Sequence, residues 1–194
     1  MKLFSKYIKN FNTLGVLLKD KKVTETKKEE GYEILLHNQE IIGFNIFNFE
    51  STEKYNLEDK RLHEVIKPIL EKHIGKEEIE DQFIIAKVVE CEKIPDTHLS
   101  KCKVNTGTEE IQIICGASNV RENLYTTLAT IGSWMPDGSE IRQGKLKGFD
   151  SFGMLCSSKE LEITDDKFNK PGIMEWNVDD SYIGRSIWEV LNEK

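Results

Sequence analysis

No stretch of this 194-residue chain is apolar for long enough to cross a bilayer, since a spanning helix needs about 20 apolar residues in succession. Lys2, Lys6 and Lys9 break the N-terminal segment before an apolar run develops, so it does not read as a secretory signal. A cytoplasmic setting without membrane contact is expected.

Cysteine and histidine are scarce, at four each. Cys91, Cys102, Cys115 and Cys156 nowhere stand at Cys-x-x-Cys spacing or beside suitably placed histidines, the pattern that a zinc site would show. Buried, reduced thiols are the expectation, because free cysteine behaves as a small hydrophobe. His98 lies alone in the β-rich part of the chain, while His37, His63 and His73 fall before it. No serine or cysteine has a nucleophile's surroundings, no glycine loop is built to cradle phosphate, and the abundant carboxylates single out no pair. A protein without catalysis, metal or cofactor is expected.

A basic excess is also lacking, with a net charge of −7. That argues against general attraction to polyanions, which requires a positive surface. The acidity is spread along the chain, whereas Arg142, Lys145 and Lys147 stand close together with few acids among them. Any nucleic-acid contact should be local and modest.

What is present suggests two regions. Thr13–Leu18, Tyr32–His37 and Ile41–Phe49 are strand-like, the last because Ile42, Phe44 and Ile46 alternate with Gly43 and Asn45 as a half-buried strand requires. Asn38-Gln39-Glu40 is short enough for a hairpin. Leu62, Val65, Ile66, Ile69, Leu70 and Ile74 fall at helical spacing, with Gly75 at the expected cap. Pro68 predicts a kink or two shorter helices, because an interior proline removes a backbone donor. Lys76–Asp81 is charged and reads as a boundary, giving a small α+β domain of unknown role over residues 1–80.

From Phe83 the chain turns β-rich. Phe83–Cys91, Lys101–Asn105, Glu110–Cys115, Leu124–Ile131 and Lys145–Cys156 are strand candidates, and five short strands suit a small closed barrel. Thr164–Lys170 reads as a polar loop. Ser186-Ile187-Trp188-Glu189 has capping-box spacing ahead of a short helix.

Two longer words stand out: Ile114-Cys115-Gly116-Ala117-Ser118-Asn119-Val120, and Lys145-Leu146-Lys147-Gly148-Phe149-Asp150-Ser151-Phe152-Gly153-Met154-Leu155-Cys156-Ser157-Ser158-Lys159-Glu160-Leu161. Together they resemble the signature of a family of tRNA-binding OB-fold modules, found in free-standing bacterial proteins and as parts of methionyl- and phenylalanyl-tRNA synthetases. The usual wording is close to Ile-Val-Cys-Gly-Ala-x-Asn-Val, then Leu-Arg-Gly-Val-x-Ser-x-Gly-Met-Leu-Cys-Ser-x-x-Glu-Leu. Upstream the family commonly reads His-Pro-x-Ala-Asp-x-Leu, from which Ile94-Pro95-Asp96-Thr97-His98-Leu99 departs. The layout, a small domain before the module, resembles the YtpR-type bacterial tRNA-binding proteins. The resemblance implies an all-β OB-fold barrel with a short C-terminal extension over residues 81–194. Its implied partner is tRNA and not DNA, with homodimerisation expected only by analogy.

On one strand, Lys145, Lys147 and Phe149 would share a face, where cations meet phosphates and the ring stacks on a base. A solvated strand face is the bland alternative. The resemblance assigns Asn119 and Ser157 to the tRNA-contacting surface, and both can read a sugar hydroxyl or base edge. Their structural alternatives are a turn residue and a local backbone bond. Met154 is either a flexible rim contact or a core filler, and Arg142 joins the two lysines. The implied tRNA-binding set is therefore Asn119, Arg142, Lys145, Lys147, Phe149, Met154 and Ser157. Two other functions stay open: a dimeric, peptide-binding export chaperone of the same fold, or an accessory docking on an aminoacyl-tRNA synthetase.

Overall fold

A computed structural model describes residues 1–168 and 170–193. They form two compact units, Met1–Glu80 with Asp137–Ser139, and Asp81–Pro136 with Glu140–Lys194. Among the described residues, no helix is long and apolar enough to cross a membrane.

The first unit is a five-stranded antiparallel sheet with one long helix. Strands β1 (Phe4–Ile8), β2 (Thr13–Leu17), β3 (Glu25–Glu29), β4 (Tyr32–His37) and β5 (Glu40–Ile46) lie in the order β1-β2-β5-β4-β3. Leu14 and Val16 on β2, Ile34 on β4, and Phe44 and Ile46 on β5 are buried in one core, the outcome of a period-two pattern with one face covered. Asn38 and Gln39 both take positive φ, at 48° and 71°, making the two-residue turn that joins β4 to β5. Strand β3 carries no apolar side chain and occupies a sheet edge, where charged residues discourage pairing with another chain.

Helix α1 (Lys60–Ile74) buries Leu62, Ile66 and Leu70, four residues apart on one face. Asp59 caps it by accepting from the Arg61 N–H at 3.1 Å, and Gly75 ends it with φ of 94°. Pro68 lies inside this single helix, so the alternative of two shorter helices is not realised. Its side chain is exposed, so the carbonyl it strands on that face has solvent beside it. Burying each of the three aliphatic side chains contributes roughly 1.5–3 kcal/mol, which together outweighs the ~3 kcal/mol cost of interior proline.

The second unit is mostly β. Strands β6 (Phe83–Lys93), β7 (Ser100–Asn105), β8 (Glu110–Cys115), β9 (Tyr125–Thr130), β10 (Gly144–Leu146), β11 (Phe149–Ser151) and β12 (Gly153–Cys156) follow in sequence. Five of them form an antiparallel sheet in the order β12-β9-β6-β7-β8, while β10 and β11 pair separately. The edge strands β12 and β8 approach each other, so the sheet curls around a core of Ala86, Val88, Cys102, Val104, Ile113, Cys115, Leu128 and Leu155.

Lys145–Cys156 is not one strand. Lys147 and Gly148 adopt φ of 50° and 87° and turn β10 back onto β11, as a two-residue hairpin loop requires. A second break precedes Gly153, whose φ is 148°; a Cβ there would stand 2.8 Å from the Ala129 carbonyl oxygen. Only glycine lets β12 begin so close to β9.

Beyond the sheet, the expected 164–170 loop includes a 3-10 turn, Asp166–Phe168, with Phe168 buried. Met174 N–H donates to the Cys156 carbonyl at 2.8 Å, and Trp176 N–H to the Tyr125 carbonyl at 2.9 Å, fixing the extension to the sheet. Helix α2 (Ile187–Asn192) buries Ile187. Ser186 precedes it without a side-chain capping bond, so the capping-box spacing did not produce the box. All four cysteines are free thiols, with Cys102, Cys115 and Cys156 buried and Cys91 half-buried.

Candidate nucleic-acid interface

The fold brings the two sequence words together. Ile114 to Ala117 leave the end of β8, Met154 and Leu155 lie on β12, and Ser157 to Glu160 follow. With Gly172 and Ile173, these segments line an open cavity of about 690 Å³.

Asn119 braces its wall. Its Nδ2 donates to the Ile173 carbonyl at 2.9 Å and to Glu175 Oε1 at 2.9 Å, while its Oδ1 accepts from the Ile173 N–H at 3.0 Å. One side-chain amide thus does for Ile173 what a neighbouring strand would do. Gly172 has φ of 98°, and a Cβ there would fall 2.1 Å from Asn119 Oδ1. Asn119 in this position therefore leaves no room for a Cβ at residue 172.

Arg121 completes it, donating to the Asn119 carbonyl at 3.0 Å and to both oxygens of Glu175, at 3.0 and 2.9 Å. The Arg121 and Asn119 hydrogen bonds hold the Glu175 carboxyl down at about 2. Such a bidentate pair orders the segment, although its partial exposure limits its contribution to stability.

Ser157 is likewise engaged. Its Oγ donates to Glu160 Oε2 at 2.6 Å, its N–H donates to the same oxygen at 2.7 Å, and its Oγ accepts from the Glu160 N–H at 3.2 Å. This reciprocal arrangement resembles a capping box but closes a turn. Met154 is half-buried on the cavity wall. Burial raises the Cys115 thiol, while its sulfur accepts from the Ala117 N–H.

The cationic candidates lie on the β10–β11 hairpin and just before it. Lys145 stands opposite Asp150 in the ladder and Leu146 opposite Phe149, whereas Lys147 is in the turn. The single face shared by Lys145, Lys147 and Phe149 therefore does not form. Both lysines are exposed and make no ion pair among the described residues. Phe149 is also exposed, with Lys101 Nζ 5.6 Å from its ring centroid. Arg142 donates through Nε and Nη2 to Glu140 Oε2 at 3.2 and 3.0 Å, which offsets its charge. The hairpin is anchored on β8, where Gln112 Nε2 donates to the Asp150 carbonyl at 2.7 Å and the Ile114 N–H donates to Ser151 Oγ at 3.1 Å. One strand thus supports both the cavity and the cations.

Sequence reasoning missed Arg121, Gly172, Glu175 and Lys101. Arg121 stands two residues after Asn119, but its partner Glu175 is 54 residues away, and no spacing pattern joins them.

Residues 83–176 match the family described as "Putative tRNA binding domain". A protein of Mycoplasma genitalium described as uncharacterized is 39% identical over 150 residues, covering 71% of this chain and 64% of the relative. A homologue from Mycoplasma pneumoniae is 36% identical over 148 residues, covering 70% and 62%. The phenylalanine–tRNA ligase beta subunit of Streptococcus pneumoniae is 44% identical over 84 residues, 43% of this chain and 10% of that subunit. The chain spans less than two thirds of the length of each of these relatives.

Proposed function

Starting from a chain of the YtpR type, with a tRNA-binding-family domain at residues 83–176, we propose that it binds folded tRNA non-catalytically through an OB-like module and recognises shape rather than sequence. The observation that carries this reading is the joining of the two signature words around one cavity, beside a hairpin presenting Lys145 and Lys147 without ion-pair partners among the described residues. Exposed cations displace counterions condensed on RNA phosphates, an interaction that reads no base. Phe149, exposed on β11 of the same hairpin with Lys101 near its ring, adds an aromatic surface on which an unpaired base can stack.

The division of labour differs from a site in which every signature residue touches RNA. Asn119 and Ser157 shape the wall, Met154 lines it, and the hairpin supplies charge. Acidic surroundings and the Arg142–Glu140 pair limit the phosphate contacts to a few. The reading carries with it a cytoplasmic setting, where tRNA is found.

The test is equilibrium binding of unmodified tRNA to the full chain across a salt series, with an unfolded polypeptide as competitor. Salt-dependent tRNA binding that the polypeptide does not displace supports the proposal. Polypeptide binding without tRNA binding would overturn it in favour of a chaperone.

A further inference from the structure

Cys91 on β6 and Cys102 on β7 are direct cross-strand partners in the antiparallel ladder. Their sulfurs are 3.7 Å apart, and neither thiol is in a disulfide. The Ile94 N–H donates to the Leu99 carbonyl at 3.0 Å. Hydrogen-bonded and non-hydrogen-bonded pairs alternate along an antiparallel ladder, so counting down from that bond makes Cys91–Cys102 a non-hydrogen-bonded pair. At such positions the Cα atoms stand roughly 4.5 Å apart and the side chains come closest, inside the roughly 4.4–6.8 Å span a disulfide accepts. Cys91 is half-buried, whereas Cys102 is 1% exposed.

We propose that Cys91 and Cys102 form a reversible thiol–disulfide site that takes its oxidising equivalents from a small disulfide of the glutathione class. The first step belongs to the accessible Cys91. Its thiolate attacks one sulfur of the oxidant, forming a mixed disulfide and releasing one thiolate. The Cys102 sulfur, after losing its proton, attacks Cys91 Sγ and expels the second. Two protein thiols and one oxidant disulfide become one protein disulfide and two small thiols; two electrons and two protons pass to the oxidant. The cross-strand geometry places Cys102 for the second, intramolecular step, and burial, which raises its thiol, slows that step relative to an exposed thiol.

The experiment uses the reduced full chain and oxidised glutathione. After exposure in the folded state, thiols are alkylated under denaturing conditions and counted by mass spectrometry, and a non-reducing digest is mapped. The expected result is a fall from four alkylatable thiols to two, a linked peptide pair containing Cys91 and Cys102, and full reversal by dithiothreitol. Cys102→Ser should instead retain a glutathione adduct at Cys91, because the second attack is lost. Four thiols remaining in the wild-type chain, a persistent Cys91 adduct without the link, or a link between other cysteines would each overturn the proposal. The wild-type measurement stands even if a variant fails to fold.

Discussion

Replacing Asn119 by alanine should act first on stability. The change deletes two part-buried hydrogen bonds with Ile173, at 2.9 and 3.0 Å, and one exposed bond to Glu175. A net intramolecular hydrogen bond contributes about 0.5–1.5 kcal/mol, so the two with Ile173 together contribute about 1–3 kcal/mol. The Glu175 contact adds little at the surface. Removing the amide also strands the Ile173 N–H and carbonyl, which moves the expectation to the upper half of that range unless water reaches them. Trp134, Trp176 and Trp188 all lie in the second unit, so tryptophan emission during urea unfolding reports on that unit alone. The expected result is a lower urea midpoint at unchanged slope. Asn119→Asp should cost more still, since it keeps the acceptor for the Ile173 N–H but sets a carboxylate against Glu175 and the Ile173 carbonyl. An Asn119→Ala protein that unfolds at the wild-type midpoint yet binds tRNA several-fold more weakly would refute the bracing argument and make Asn119 a contact residue.

Gly172→Ala should destabilise the same unit, because its methyl would fall 2.1 Å from Asn119 Oδ1 at a φ of 98°; a wild-type urea midpoint would contradict this. Changing Lys145 and Lys147 together to alanine should lower the slope of log affinity against log salt by about one to two units, with little change in which tRNA is preferred. An unchanged slope would put the RNA on another surface. His63 is lowered by burial and then by Lys67, with Asp59 and Glu64 opposing and Lys60 assisting, and its Nε2 has no hydrogen-bond partner. The folded ring therefore stays neutral while the unfolded ring takes a proton below about pH 6.5, so stability present above that pH is lost as pH falls toward the depressed folded value. Circular dichroism melts of wild type and His63→Gln between pH 7.5 and 5 check this, the variant being expected to lose less. A chain beginning at Asp81 should unfold cooperatively by itself, and failure to do so while the full chain succeeds would place the boundary elsewhere.

The elements legible in the sequence were those whose burial follows a short period. The alternation of Ile42, Phe44 and Ile46 and the stripe of Leu62, Ile66 and Leu70 each announce one covered face, and the structure buries all six. Strand β3 escaped because its five residues are all polar and its place is set by pairing to β4, which leaves no hydrophobic trace. The run from Lys145 to Cys156 was read as continuous because apolar residues recur through it. The positive φ at Lys147 was invisible, since Lys147-Gly148 is not among the usual turn pairs.

The site divides along the same line. Proximity of the two words follows from the curl that brings β8 and β12 together, whereas the duties of their side chains depend on partners far along the chain. Asn119 looks like a ready recognition group because an amide both donates and accepts. That same bifunctionality lets it pair with both backbone groups of Ile173, 54 residues away. Ser157 and Glu160 satisfy each other within three residues, a spacing visible in sequence but equally compatible with a free hydroxyl. A polar residue inside a binding signature is thus as well suited to building the wall as to touching the ligand. Competition decides between them: an RNA group seeking the Asn119 amide must break part-buried bonds within the protein, while a phosphate approaching Lys145 or Lys147 displaces only water and counterions. On the proposed reading the hairpin lysines are consequently the cheaper contacts, and the signature's asparagine and serine would act on binding through the shape they maintain.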